Sequence, residues 1–209
     1  LVVFVVALPF LWSFTRPPST NFWPLAASWG CVALLLLVCA AQDIRGQARS
    51  ARYWARLAAF GLLLAALLSA AVGLVQYFGL SGALSPWVYD APLGQAMGNL
   101  RQRNQQATLL SLGVWALAWW AVQGGGLAWR PVAVVAGMAL LSVGSAATAS
   151  RTALLQWLLL LALAWVWRAR WGWRPAALIG GGLALYLVAA WALPALLWRT
   201  AAVHGSGVF

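Results

Sequence analysis

The sequence contains no lysine and no glutamate, and its only acidic residues are Asp43 and Asp90. Charged residues make up 7% of the 209 positions, whereas hydrophobic residues make up 64%. A soluble globular domain carries roughly 25% charged residues, which keep its surface solvated. The composition therefore excludes an ordinary soluble domain and indicates a membrane protein.

Long uncharged windows set the predicted fold class. Most of them hold about twenty residues, enough for a helix to cross a hydrocarbon core of ~30 Å. The first and the sixth are shorter, and the tryptophans and arginines that flank the sixth can extend it by snorkelling. The first could also be the core of a signal peptide, but no small-residue cleavage site follows it. We predict an all-α polytopic bundle, a single transmembrane domain over 1–209, with about seven spans near 1–14, 22–41, 57–80, 107–129, 131–150, 152–167 and 175–198.

All thirteen basic residues are arginine, and they lie between the apolar windows. The loops of one predicted side carry Arg45, Arg49, Arg52, Arg56, Arg130, Arg168, Arg170 and Arg174, and those of the other carry Arg16, Arg101, Arg103, Arg151 and Arg199. The positive-inside rule assigns the first set, and with it the N-terminus, to the cytoplasm. A net charge of +11 on a soluble chain would suggest nucleic acid. On this chain it predicts a lipid bilayer as the partner and no nucleic acid.

The residue types of common catalytic and metal centres are scarce. His204 is the only histidine, and it lies after the last predicted span. Cys31 and Cys39 lie in one predicted helix roughly 12 Å apart, which is beyond disulfide reach. These few residues cannot assemble a metal site or a Ser-His-acid triad, so we predict no metal and no cofactor. The catalytic residue stays unknown.

Small residues are spaced four apart along the fifth predicted span. The pairs are Ser142 with Ala146, Ala146 with Ser150, and Ser145 with Ala149. Such spacing lets helix backbones approach closely in a membrane. We therefore expect this helix to pack tightly against a neighbour.

The first of two polar clusters on the predicted outer side is Gly98–Gln106, directly before the fourth span. If the helix begins near Arg103, its first-turn N–H groups and dipole face outward. With the guanidinium groups of Arg101 and Arg103 they would form an anion site. An interfacial anchor with polar capping residues is an equally good interpretation of the sequence.

The second cluster is Thr148–Thr152, a connection too short to leave the headgroup region. Arg151 is thereby held at the membrane boundary, where ionisable groups are costly and usually have a partner. The alternative is an ordinary snorkelling arginine. Two arginine-containing sites on one side, at the depth of lipid phosphates, suggest a phosphorylated lipid ligand.

These clusters also carry a family resemblance. Val75–Leu80, Gly98–Thr108 and Ala149–Thr152 resemble the amino-terminal half of bacterial protein O-oligosaccharyltransferases. These are the pilin-glycosylation ligases of the O-antigen ligase and polymerase superfamily. The proline-rich segment Arg16–Phe22 is similar too, although the acidic residue expected shortly after it is missing. Arg103 stands where these ligases often have proline.

The resemblance implies an inner-membrane enzyme that moves a glycan, without a metal, from undecaprenyl diphosphate to an acceptor hydroxyl in the periplasm. Its partners would be a lipid-linked oligosaccharide and a protein or lipid acceptor. The implied diphosphate binders are Arg101 and Arg151, with Gln102, Arg103 and Asn104 supporting them. Family members have a catalytic histidine in a later periplasmic loop. We therefore expect the catalytic residue beyond residue 209, and residues 1–209 to be an amino-terminal part that is inactive alone.

Other functions stay open on these residues. O-antigen ligation and O-antigen polymerisation use the same donor chemistry and differ in the acceptor. A transporter or lipid-carrier permease would require polar groups within the spans and an internal repeat, whereas the spans are nearly free of charge. A structural scaffold is supported only by the lack of an evident catalytic group.

Overall fold

The computed structural model describes residues 1–12, 22–46, 49–122 and 130–203. Over these residues the chain is helical and contains no strand, so the predicted all-α class is confirmed. Two 3-10 turns, Ser81–Leu84 and Gly98–Leu100, lie between the third and fourth helices. The α-helices are α1 (Val2–Leu11), α2 (Phe22–Ile44), α3 (Ala51–Tyr77), α4 (Arg103–Val122), α5 (Arg130–Ala147), α6 (Arg151–Val166), α7 (Arg168–Trp171) and α8 (Arg174–Val203).

Three helices are long and apolar enough to cross a membrane. The segments concerned are Ala26–Ile44 of α2, all of α3, and Arg174–Arg199 of α8. Shorter apolar helices are Val2–Leu11, Pro131–Ala147 and Arg151–Val166. Helix α4 has 20 residues, but its first turn is polar. The structure therefore supports a membrane protein, while the number of about seven spans and the orientation stay predictions.

The helix ends nearest the polar clusters follow local sequence signals. Helix α3 begins at Ala51, ahead of the predicted residue 57, because the Ser50 side chain accepts a hydrogen bond from the Tyr53 N–H at 3.3 Å. Helix α4 begins at Arg103, ahead of the predicted span 107–129, so the start supposed for an anion site is the one observed. Only residues 148–150 separate α5 from α6, so this connection is as short as predicted.

Helix α3 lies at the centre of the bundle and packs against α1, α4 and α5. Ala66 and Ala70, one turn apart on α3, face Gly113 of α4 and Gly144 of α5. A Cβ atom on Gly144 would lie 2.8 Å from the Cβ of Ala70, so only glycine permits this approach. Small residues of this kind bring helix backbones together in lipid, where apolar burial alone offers little driving force.

The outer surface of the bundle is also apolar. Helix α2 has no buried residue within Ala26–Ile44, and Leu36 and Leu37 are 65% and 67% exposed. Leu155 of α6 and Trp191 of α8 are exposed as well. In water such a surface would associate, whereas in a bilayer it lies against the lipid chains.

Candidate functional site

One end of the bundle contains both predicted polar clusters. Helices α3 and α5 end there, and α4 and α6 begin there. The segment 78–102 is attached to this end by backbone hydrogen bonds at two points. Gly94 N–H donates to the Tyr77 carbonyl and Ala96 N–H donates to the Ala147 carbonyl, both at 3.0 Å.

A fully buried glutamine in the last turn of α3 holds this segment. Gln76 Nε2 donates to the carbonyls of Tyr89 at 2.7 Å and Gly98 at 3.1 Å. Its Oε1 accepts from the N–H groups of Met97 at 3.0 Å and Gly98 at 2.7 Å. The amide thus makes the four hydrogen bonds for which it has capacity. The sequence signal for this role was a lone amide in an otherwise apolar helix end, and Gln76 was not among the predicted site residues.

Asn99 ties the same segment to the first helix. Its Nδ2 donates to the carbonyls of Leu11 at 2.6 Å and Trp87 at 3.0 Å, and its Oδ1 accepts from the Tyr89 N–H at 3.0 Å. The side chain of Asn99 therefore connects α1 with two points of the segment, and it is a structural residue of this end.

Gly98 lies over a second buried amide, that of Gln106 in α4. Gln106 Nε2 donates to the Ser69 carbonyl, and the Ser69 hydroxyl donates to Gln106 Oε1, both at 2.8 Å. Gly98 has a positive φ of 58°, and a Cβ atom there would collide with Gln106 and lie 2.7 Å from the Ser69 hydroxyl. Position 98 therefore requires glycine for its backbone conformation and for space.

Arg101, the first of the predicted ligand-binding arginines, follows this buried region in the sequence. Arg101 has a left-handed backbone with φ 63°, uncommon for a residue other than glycine. Its guanidinium carbon lies 5.2 Å from the ring centroid of Tyr89, within range of a cation–π contact. Gln102 and Arg103 follow, and both are exposed. The backbone turn at Arg101 directs the chain into α4.

Asn104 joins the two polar clusters. Its Oδ1 accepts hydrogen bonds from the hydroxyls of Ser150 at 2.8 Å and Thr152 at 3.1 Å, the two neighbours of Arg151. Ser150 stands at the N-cap of α6 but makes no side-chain cap hydrogen bond to its own helix, and its hydroxyl donates to Asn104. Arg151 is exposed. The structure thus brings Asn104 next to the segment of Arg151, while the role of these residues in binding a ligand stays a prediction.

A line of polar side chains continues from this junction between α4 and α6. Gln156 Nε2 donates to the Thr108 hydroxyl at 2.8 Å, and the Ser111 hydroxyl donates to Gln156 Oε1 at 2.9 Å. Together with Asn104 and Thr152 these residues form what we call the polar seam. Thr108 and Ser111 recur at helical spacing after Asn104, but their pairing with Gln156 depends on how the two helices pack.

The arrangement suits an anion. Helices α4 and α6 both begin at this end, and helix N-termini carry partial positive charge. Arg101, Arg103 and Arg151 add full positive charges. Asp90, whose carboxylate accepts from the Ser81 hydroxyl at 2.7 Å, lies in the same segment as Arg101.

Arg16 and His204 lie outside the residues that the structure describes. Within the described ranges, no three His, Cys, Asp or Glu side chains lie close enough together to hold a metal ion.

A comparison with protein families finds one local similarity. The model of a family described as protein glycosylation ligase matches residues 96–121. The matched segment starts in the attached loop, includes Arg101, Gln102, Arg103 and Asn104, and covers most of α4. It does not reach Arg151. Comparisons with curated proteins and with solved structures give no match.

Proposed function

We propose that this chain binds the donor in a membrane protein-glycosylation ligase, which moves a glycan from undecaprenyl diphosphate to a serine or threonine hydroxyl of a periplasmic protein. The observation that carries the proposal is the position of the family match. Residues 96–121 include Arg101 and the start of α4, and Asn104 connects this start to both neighbours of Arg151. In this proposal the N-terminus is cytoplasmic and the site lies at the periplasmic face of the inner membrane.

The reaction determines which groups the site has to supply. The acceptor hydroxyl oxygen bonds to the anomeric carbon of the glycan, and the bond from that carbon to the diphosphate oxygen breaks. The hydroxyl proton passes to a base, and undecaprenyl diphosphate leaves with the bonding electrons. The resemblance makes that base a histidine outside residues 1–209. In this proposal, residues 1–209 supply the groups that stabilise the negative charge developing on the diphosphate.

Arginine is suited to stabilising the diphosphate because its planar guanidinium donates two parallel hydrogen bonds to phosphate oxygens. We assign the diphosphate to Arg101 and Arg151, with Gln102, Arg103 and Asn104 in support. The N–H groups at the starts of α4 and α6 add donors on the same side. At the membrane boundary the dielectric is lower than in water, so each of these interactions is strengthened.

A second candidate is a lipid-carrier permease, and the polar seam is the observation that favours it. Gln156 and Ser111 place hydrogen-bonding groups within the bundle, where a permease would require them. The two functions differ in product, because only the ligase leaves a glycan covalently attached to protein. O-antigen ligation and polymerisation would use the same proposed donor site. They differ from protein glycosylation in the acceptor, which is a lipid or a glycan instead of a protein.

The test replaces Arg151 in the complete gene product, supplied with lipid-linked oligosaccharide and acceptor protein. Losing one donor to developing charge typically costs about 10²–10³ in rate, so we expect Arg151→Ala to lower glycan transfer by about that factor. Arg151→Lys keeps the charge without the fork geometry and should retain part of the activity. Arg56→Ala, at an exposed arginine near the opposite end of α3, is the matched control.

Glycan on the acceptor is measured by mass spectrometry, and membrane insertion by the amount of protein in the membrane fraction. Normal transfer by both Arg151 variants would refute the diphosphate role. Accumulation of translocated lipid-linked glycan with no glycan on protein, lipid or polymer would favour the permease instead.

A further inference from the structure

The end of the bundle opposite the candidate site contains a groove between α6 and α8. Its volume is ≈ 570 Å³, within the range of small-molecule sites. Helix α6 runs from Arg151 at the candidate site to Val166, about 22 Å away at the rise of an α-helix. The groove is therefore separate from the proposed donor site, and binding in it is independent of the proposed function.

The two walls of the groove differ in side-chain size. Helix α6 contributes a stripe at helical spacing that contains Leu158, Leu161 and Trp165. The facing wall has Ala176 and Ala177 of α8, which occupy little space. Large side chains opposite alanines leave an open apolar channel about 10 Å long between Leu158 and Trp165. A channel of this shape accommodates a hydrocarbon chain.

A positive charge held by two contacts lies beside one end of this channel. Arg168 lines the groove, and its guanidinium carbon lies 4.3 Å from the ring centroid of Trp165. The same guanidinium donates to the Trp165 carbonyl at 3.2 Å. These two contacts hold the charge at the rim, which distinguishes Arg168 from an arginine that moves freely in solvent.

The surroundings of the rim are cationic and aromatic. Arg170 and Arg174 lie within six residues of Arg168, and no acidic residue occurs between Asp90 and the end of the sequence. Trp173 also lines the groove and is 71% exposed, as expected of a tryptophan at the level of lipid headgroups. Charge complementarity therefore selects an anion at the rim, and the channel selects an apolar chain attached to it.

We propose that this groove binds one anionic phospholipid, with an acyl chain along Leu158 and Leu161 and the headgroup phosphate on Arg168. The arginines at this end then do more than orient the helices. Arg168 supplies a specific contact, whereas the others act through the general attraction of cations to anionic membranes.

The test uses the full chain purified in a neutral detergent and native mass spectrometry to measure lipid adducts. The probes are phosphatidylglycerol, phosphatidylcholine with the same acyl chains, and glycerol phosphate, which has no acyl chain. We expect one saturable phosphatidylglycerol adduct that binds more tightly than phosphatidylcholine and is not displaced by equal concentrations of glycerol phosphate.

Two variants locate the adduct. Arg168→Gln should weaken phosphatidylglycerol binding about fivefold, the effect of one arginine near anionic lipid. Arg49→Gln is the matched control, because Arg49 also lies over an aromatic ring, that of Tyr53, but does not line the groove. Ala177→Phe, at an exposed position, should fill the channel and remove the adduct.

Equal binding of the two lipids would overturn the proposal, as would equal effects of Arg168→Gln and Arg49→Gln. Displacement by glycerol phosphate would show a headgroup site without a chain-binding groove, which also contradicts it. Should Ala177→Phe fail to fold, the comparison of the two arginine variants still decides the question.

Discussion

Replacing Gln76 by leucine tests whether a single buried amide holds the loop that carries the candidate site. Leucine has a similar length but can neither donate nor accept a hydrogen bond. The change leaves four backbone groups without their partner, namely the carbonyls of Tyr89 and Gly98 and the N–H groups of Met97 and Gly98. All four hydrogen bonds from the Gln76 side chain to Tyr89, Met97 and Gly98 are therefore lost.

The expected size of the effect can be worked out from these bonds. At about 1 kcal/mol net for each, the docked loop loses about 4 kcal/mol relative to an open state. Since 1.4 kcal/mol corresponds to a factor of ten, the opening equilibrium should shift by roughly a thousandfold. Water then reaches the backbone of the loop, while the core of the helices, which packs independently of Gln76, stays folded.

The assay is residue-resolved hydrogen exchange in detergent. The N–H groups of Met97 and Gly98 both donate to Gln76 Oε1, so their exchange should accelerate by up to that factor. Gln105→Leu is the matched control, because Gln105 is exposed on α4. The reasoning is refuted if Met97 and Gly98 stay as protected in Gln76→Leu as in the unmodified chain, or if the control exchanges equally fast.

Two further substitutions address the neighbouring contacts. Gly98→Ala should lower stability by more than about 2 kcal/mol, because alanine is strained at positive φ and has no room there; thermal unfolding should show no comparable loss for Gly82→Ala, where a Cβ would meet nothing within 4 Å. Asn104→Ala removes the acceptor of two hydroxyls at the start of α6, costs about 1–2 kcal/mol, and should reduce glycan transfer by the complete gene product. Equal transfer by Asn104→Ala and Gln105→Ala would show that this junction does not position the donor.

Local properties of the sequence predicted several features well. The lack of charge and the long apolar windows indicated an all-helical membrane protein. The fourth window predicted a helix near 107–129, and α4 begins four residues earlier, at Arg103. The small residues of the fifth window predicted close packing, and Ser142, Ser145 and Ala146 are buried. Ala149 departs from that pattern because α5 ends at Ala147, and Ala149 lies exposed in the connection with φ 48°.

The sequence by itself thus determined the all-α membrane class, the approximate positions of the helices and the two polar clusters, because hydropathy, helical spacing and capping act between residues close in the chain. Tertiary structure alone decided how the clusters meet. Asn104 bonds to Thr152 48 positions away, and Asn99 to Leu11 88 positions away. Such contacts depend on how the helices pack, and a polar residue in an isolated helix carries no sign of which neighbour it will face. For the same reason the sequence singled out Arg101 and Arg151 but gave no sign of their neighbours, whereas packing places Arg101 over Tyr89 and Arg168 at the rim of a groove.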